Sequence, residues 1–161
     1  MKHGIIAGLV VALLSGSALA HGKKKHNEAQ AEPAEMVIAE FGMTGDPKAV
    51  GKTITMVMSD ELTFSPSELK ISVGDTVKFV VQNTGELLHE MVLGRSEDLA
   101  KHAALMAEFP EMEHDEPYMA HVEPGKEGEI IWTFSKAGQF EFGCLVPGHY
   151  EGGMKGRIIV H

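Results

Sequence analysis

The sequence contains a single cysteine, Cys144, among 161 residues. One cysteine excludes a disulfide within the chain and any zinc site built from pairs of cysteines. Basic residues are also few, because Lys and Arg number 14 against 23 Asp and Glu, which gives a net charge of -9. This balance argues against a nucleic-acid-binding protein, since phosphates require a basic surface.

Methionine and histidine are abundant instead. The chain has 10 methionines and 9 histidines, whereas Trp and Tyr together number three. Thioethers and imidazoles are ligands that suit copper, so the composition favours a copper-binding protein. Hydrophobic residues make up 43% of the chain, which is enough for a packed core.

Residues 1–20 have the features of a secretory signal peptide. Lys2 supplies a charged start, residues 5–14 are apolar, and Ala18-Leu19-Ala20 fits a cleavage site. The apolar run is too short to span a bilayer, so we expect an exported protein without a membrane anchor after processing. A free thiol is a liability in an oxidising compartment, and we therefore expect Cys144 to be protected or used there.

The remaining chain divides into a leader and one domain. Residues 21–40 are largely polar and lack Phe, Tyr and Trp, which predicts a flexible leader before a domain at residues 41–161. In that domain, apolar and polar residues alternate in short runs separated by turn residues, a pattern typical of an all-β sandwich or barrel. The runs contain Ile54 to Met58, Leu69 to Val73, Val77 to Val81, Ile130 to Phe134, Phe140 to Phe142 and Ile158 to Val160.

One helix is expected to interrupt the strands, at residues 96–109. Ser96 is a suitable N-cap, and Leu99, Ala103 and Met106 would form one apolar face. Pro110 is expected to end the helix. No alternation of strands with helices is present, so a parallel α/β sheet is disfavoured.

Three possible metal ligands share one loop rich in glycine. Cys144, His149 and Met154 are spaced five residues apart between two predicted strands. A type 1 copper site uses one thiolate, two imidazoles and a weak thioether. His89, on a strand pattern just after a turn, is the best candidate for the second imidazole. Each residue alone is more often part of a core, but together they favour a metal site.

The copper loop resembles that of the cupredoxins, the family of plastocyanin, azurin and rusticyanin. Pro147-Gly148-His149 and the spacing from His149 to Gly153-Met154 carry this resemblance. Phe41-Gly42, residues 89–94 and residues 112–121 resemble the CopI-type periplasmic cupredoxins associated with bacterial copper tolerance. The resemblance covers residues 41–160. It implies a Greek-key β-sandwich, a periplasmic location, and one type 1 copper, Cu(II) or Cu(I), bound by His89, Cys144, His149 and Met154.

One position departs from the plastocyanin and azurin pattern. Those proteins usually carry Asn directly after the first histidine ligand, where its side chain braces the cysteine loop, and this chain has Glu90. Changes next to a metal ligand alter potential and colour without abolishing binding. The sequence therefore leaves a blue or a green site open.

A second group of soft ligands follows the predicted helix. Met112-x-His114 and Met119-x-His121 repeat one spacing, and in an extended segment residues i and i+2 project to the same side. Each pair could hold one ion, although a solvated acidic loop with methionines packed on the sandwich is the alternative. After cleavage, the amine and ring of His21 could also chelate copper, or this could be an incidental histidine. The candidates for auxiliary copper are Met106, Met112, His114, Met119, His121, His21 and His26.

Four classes of function remain for comparison. The first is a copper-handling protein for copper tolerance, and the second is a diffusible one-electron carrier; either implies a transient redox or copper-handling protein partner and a monomer. A copper enzyme is disfavoured because no His-x-His pair occurs, although stoichiometric oxidation of Cu(I) stays possible. A metal-free adhesion or scaffold module would leave Cys144 unexplained.

Overall fold

Two β-sheets form the body of the protein. The computed structural model describes residues 36–112 and 115–161. A helix, α1 (Ser96–Glu108), lies between two strands, and a single 3-10 turn covers Pro47–Ala49. The strands are β1 (Ile38–Ala39), β2 (Gly42–Thr44), β3 (Lys52–Ser59), β4 (Thr63–Ser65), β5 (Glu68–Ile71), β6 (Thr76–Asn83), β7 (His89–Gly94), β8 (Met119–Val122), β9 (Glu127–Thr133), β10 (Gly138–Gly143) and β11 (Lys155–Val160).

The sheets are mixed in strand direction. One has the order β1-β2-β9-β6-β3-β4 and the other the order β5-β11-β10-β7-β8. β3 runs parallel to β6 and β5 runs parallel to β11, whereas the remaining pairs are antiparallel. The expected β-sandwich with a short helical insertion is confirmed.

The main core is built from alternate residues of these strands. Met56, Phe79 and Trp132 are fully buried, and the ring of Phe41 stacks on Trp132 with the centroids 5.0 Å apart. The predicted alternation therefore selects the core residues correctly on these strands. It fails at Val73, which lies beyond the end of β5 and is exposed.

β7 differs from the other strands because all six of its residues are buried. Met91 and Leu93 pack in the main core, while Val92 packs in a second cluster on the other face of the sheet. Helix α1 covers that face, and its predicted apolar face is confirmed. The second cluster also contains Leu99, Ala103, Met106, Met119, Leu145 and Tyr150.

The start of α1 corrects one prediction. The N-cap residue is Arg95, which makes no side-chain capping bond, and Ser96 is already helical, so the predicted Ser96 cap is wrong. Instead, the Arg95 guanidinium donates to both carboxylate oxygens of Asp98 at 2.6 and 3.0 Å. This ion pair joins the cap position to the first turn of the helix. The helix ends at Glu108, two residues before Pro110.

Strand pairing begins before residue 41, where the domain was expected to start. β1 pairs with β2 through Ile38 and Ala39, inside the segment assigned to the leader. The predicted signal peptide and residues 21–35 lie outside the described residues. None of the helical segments in residues 36–112 and 115–161 has the length and apolar character needed to cross a bilayer.

Candidate metal centre

The loop at residues 144–154 joins β10 to β11 and is closed by its own backbone. The N–H of Cys144 donates to the carbonyl of Met154 at 3.0 Å, and the N–H of Met154 donates to the carbonyl of His149 at 2.9 Å. These bonds bring the two ends of the loop together. They fix the backbone at all three of the predicted loop ligands.

Turns inside this loop require unusual backbone angles at two glycines. Gly148 has a φ of 86° and Gly153 a φ of 99°, backbone angles that residues with a Cβ rarely adopt. Between them, the N–H of His149 donates to the carbonyl of Val146 at 2.9 Å. The loop therefore consists of consecutive tight turns that are closed by backbone hydrogen bonds.

The second imidazole comes from β7, in the same sheet as β10 and β11. His89 is the first residue of β7, which neighbours β10, and it is fully buried. The Sγ atom of Cys144 lies 3.9 Å from Nδ1 of His89 and 3.3 Å from Nδ1 of His149. The donor atoms of the three residues all lie within 4.8 Å of one another. Met154, also fully buried, belongs to the same core cluster as Cys144.

Burial controls the ionisation of the thiol and of one imidazole. It raises the pKa of Cys144 to about 12, while a hydrogen bond from the backbone N–H of Glu90 to Sγ, at 3.4 Å, acts in the opposite direction. Burial, followed by the proximity of His89, lowers the pKa of His149. A lowered pKa favours the neutral imidazole, which is the form that binds metal ions.

Asp60 orients His89, and sequence reasoning missed it. Its carboxylate lies 3.0 Å from Nε2 of His89 and accepts backbone hydrogen bonds from Glu86 and Leu87 at 2.7 and 3.3 Å. The bond from Glu86 is the largest cause of the lowered pKa of Asp60, and the contact with His89 adds to it. Carboxylates commonly hold one nitrogen of a metal-binding histidine, so that the other faces the metal.

Glu90 braces the cysteine loop. Its side chain is buried, and Oε1 accepts a hydrogen bond from the backbone N–H of Leu145 at 2.7 Å. The other oxygen, Oε2, lies 2.8 Å from Nε2 of His121 on β8. Glu90, which stands where plastocyanin and azurin usually have Asn, therefore still braces the cysteine loop. It also contacts His121.

Tyr150 anchors the loop beneath α1. It is buried, and its hydroxyl donates to Oε2 of Glu141 on β10 at 3.0 Å. Burial and this carboxylate raise the pKa of Tyr150 to about 12. The loop is thus fixed to both the neighbouring strand and the helical layer.

Four of the seven candidate auxiliary residues line one cavity of about 1010 Å³: Met106, Met112, Met119 and His121. Met106 and Met119 also belong to the second apolar cluster, as the alternative interpretation expected. His114, His21 and His26 lie outside the described residues. The four described members thus border one cavity, and auxiliary copper binding by any of the seven residues stays a prediction.

The chemistry of the three clustered donors fits copper. One thiol and two imidazoles with a nearby thioether residue form the donor set of a type 1 site, and no carboxylate belongs to the group. Donor atoms around a first-row metal ion are each about 2.0 to 2.3 Å from it, so neighbouring donors lie roughly 3 to 4 Å apart. The separations of 3.3 and 3.9 Å from Sγ to the two nitrogens agree with this spacing.

Residues 52–161 match the model of the family described as copper-binding proteins, plastocyanin/azurin family. The chain belongs to this cupredoxin family. It is 41% identical over 152 residues to the "Copper-resistant cuproprotein CopI" of Rubrivivax gelatinosus, covering 94% of this chain and 92% of the relative. A protein of the same name from Pseudomonas aeruginosa is 33% identical over 177 residues, with coverage of 92% and 96%.

Solved cupredoxins share the fold. Reduced auracyanin from Roseiflexus castenholzii superposes with a TM-score of 0.60 at 25% identity, covering 70% of this chain and 98% of that one. The resemblance to cupredoxins and to CopI-type proteins that the sequence motifs indicated is confirmed.

Proposed function

We propose that this cupredoxin binds one copper ion through His89, Cys144, His149 and Met154 and serves copper tolerance in the periplasm. The observation that carries the proposal is the approach of Cys144 Sγ to the Nδ1 atoms of both histidines, at 3.9 and 3.3 Å. The tolerance role is supported by relatives at 41% and 33% identity that are named copper-resistant cuproproteins.

Each ligand has a separate task in this proposal. The thiolate of Cys144 and the two Nδ1 atoms provide the strong bonds, and Met154, at the end of the loop, provides a soft thioether that favours the reduced ion. Copper bound there supplies a one-electron Cu(II)/Cu(I) couple.

The surroundings hold these ligands in place. Asp60 orients the His89 ring, Glu90 braces the loop at Leu145, and the loop bonds fix its own backbone. Because the protein imposes this arrangement, a copper ion bound there would meet nearly the same ligand positions in both oxidation states. Four protein ligands also leave no open position for a substrate. We therefore expect copper retention and control of its oxidation state rather than enzymatic turnover. Stoichiometric oxidation of Cu(I) would pass one electron to Cu(II) held by the four ligands, which would itself become Cu(I).

The test is growth under copper stress. A strain lacking this protein should grow normally without added copper and poorly with it. The wild-type chain should restore copper tolerance, whereas Cys144→Ser, exported in equal amount, should not. Full protection by Cys144→Ser would overturn the proposal.

A diffusible electron carrier is the second candidate, and one surface observation favours it. Leu87 and Leu88 are 51% and 39% exposed, and Pro147 is exposed next to the half-buried His149. Apolar surface beside a metal ligand suits brief docking of a redox partner. In this case, the deletion strain would show a respiratory defect without added copper. A monomer in sedimentation experiments is expected under either function.

A further inference from the structure

A cavity lies next to the proposed copper site, at the end of α1. It measures about 1010 Å³, and its lining includes Glu90 as well as Pro147 of the copper loop. Three of the chain's ten methionines line it, Met106 from the last turn of α1, Met112 from the following loop and Met119 from β8. No role in the proposed type 1 site requires these thioethers.

The register of β8 explains why two of the lining residues face the same way. Met119 pairs with Val92 and His121 pairs with Glu90, and both partners lie on the outer face of β7. The intervening Ala120 packs in the main core and also borders the cavity. The i and i+2 spacing seen in the sequence therefore does place Met119 and His121 on one side of the strand.

One ring nitrogen of His121 is held by a carboxylate. Its Nε2 lies 2.8 Å from a carboxylate oxygen of Glu90, whose side chain is 3% exposed. Metal-binding histidines commonly have such a carboxylate on the ring nitrogen that does not bind the metal. The same pairing occurs in the first site, where Asp60 contacts Nε2 of His89.

We propose that this cavity binds a second copper ion, as Cu(I), through the thioethers of Met106, Met112 and Met119 and through Nδ1 of His121. The site is separate from the type 1 ligand set, and the proposal does not depend on copper binding at Cys144.

The donor types select the cation. Thioethers favour soft ions such as Cu(I) over hard ions such as Mg²⁺ and Ca²⁺. Within residues 36–112 and 115–161, the cluster of His89, Cys144 and His149 is the one group of three or more His, Cys, Asp or Glu donors close enough to hold a metal. Among the described residues, the cavity therefore contains no such group of three donors for a hard or borderline ion, whereas it offers thioethers to a soft ion. The carboxylates of Glu111 and Asp115, also in the lining, add negative charge that attracts a cation.

The experiment counts Cu(I) ions bound by the purified chain of residues 21–161. Without oxygen, the protein is titrated with Cu(I) against a chromogenic Cu(I) chelator. One variant replaces Met106, Met112 and Met119 with Leu, a change that nearly preserves volume and so tolerates burial. The matched control replaces Met43, Met56 and Met58 with Leu. These three methionines lie on β2 and β3 in the other sheet.

We expect the cavity variant to bind one equivalent of Cu(I) fewer than the control, or to hold that equivalent about tenfold or more weakly. His121→Gln should weaken the same equivalent. The Cu(II) spectrum of the cavity variant should match that of the control, which shows that the fold and the first site are intact. Equal Cu(I) stoichiometry and affinity in the two triple variants would overturn the proposal, whatever copper the first site or the leader binds.

Discussion

The carboxylate of Glu90 accepts a hydrogen bond from the backbone N–H of Leu145 across 2.7 Å, although the two residues are 55 positions apart. This contact ties β7 to the first turn of the copper loop. Through its other oxygen, the same carboxylate contacts His121 at the edge of the methionine-lined cavity. One buried side chain therefore supports both of the proposed copper sites.

Replacement of Glu90 should destabilise the copper-free protein. Glu90→Ala leaves the N–H of the fully buried Leu145 without its acceptor, which costs about 1 to 3 kcal/mol in the free energy of unfolding. Glu90→Gln keeps a carbonyl oxygen in reach of that N–H and should lose less. Urea unfolding of the metal-free proteins measures both. A Glu90→Ala protein as stable as wild type would show that the contact does not brace the loop.

Removal of Asp60 should weaken copper binding without unfolding the protein. Asp60→Ala takes away the oxygen 3.0 Å from Nε2 of His89, so the ring is no longer held with Nδ1 towards Cys144. Loss of such an orienting group lowers metal affinity about 10- to 100-fold. Competition titration with Cu(II) and a chelator measures the change. Glu61→Ala, which removes the adjacent acidic side chain, is the control and should bind copper like wild type.

Replacement by alanine should affect stability differently at two glycines near the start of the domain, Gly42 and Gly51. A Cβ on Gly42 would lie 2.1 Å from the carbonyl oxygen of Thr133, and its φ is 155°. A Cβ on Gly51 would have no neighbouring atom within 4 Å. Gly42→Ala should lower the free energy of unfolding by roughly 2 kcal/mol or more, and Gly51→Ala should change it little. Thermal and urea unfolding compare them. Equal effects would contradict the close packing of β2 on β9.

The ion pair at the start of α1 should contribute a small, pH-dependent stability. The Arg95 guanidinium holds the pKa of Asp98 below its ordinary value of 3.8. The folded state favours the ionised carboxylate of Asp98. The stability that the ion pair adds is therefore fully present at pH values above the ordinary pKa of 3.8, and it is lost as the pH falls through the lower pKa of the folded state. Asp98→Asn should therefore cost up to about 1 kcal/mol at neutral pH, since the pair is solvent-exposed. Urea unfolding should show that difference shrinking in acid; a constant or growing difference would contradict it.

Local patterns in the sequence predicted the parts of the fold that depend on neighbouring residues. Alternation identified Met56, Phe79 and Trp132 as core, and helical spacing identified the buried face of α1. The helix start was wrong at Ser96, because an ion pair from Arg95 rather than a hydroxyl cap joins the cap residue to the first turn. Propensity rules contain no term for such a competing contact.

In the candidate site, too, local sequence patterns identified some residues, whereas others became apparent only from contacts between distant parts of the chain. Cys144, His149 and Met154 were recognisable because one loop contains them all. His89 could be proposed from its strand and turn, and the structure places it beside Cys144 because β7 neighbours β10. Asp60 could not be found, since a carboxylate in a turn 29 residues before His89 gives no local signal of the contact. The role of Glu90 needed the register between β7 and the loop.

Copper binding by the Cys144 thiolate together with two imidazoles can be tested by a Cu(II) titration of the purified protein comprising residues 21–161. We predict intense thiolate-to-copper absorption, blue or green, that saturates at one equivalent and is absent in Cys144→Ser. A protein that stays colourless with Cu(II), or a Cys144→Ser variant with the same spectrum, would contradict it.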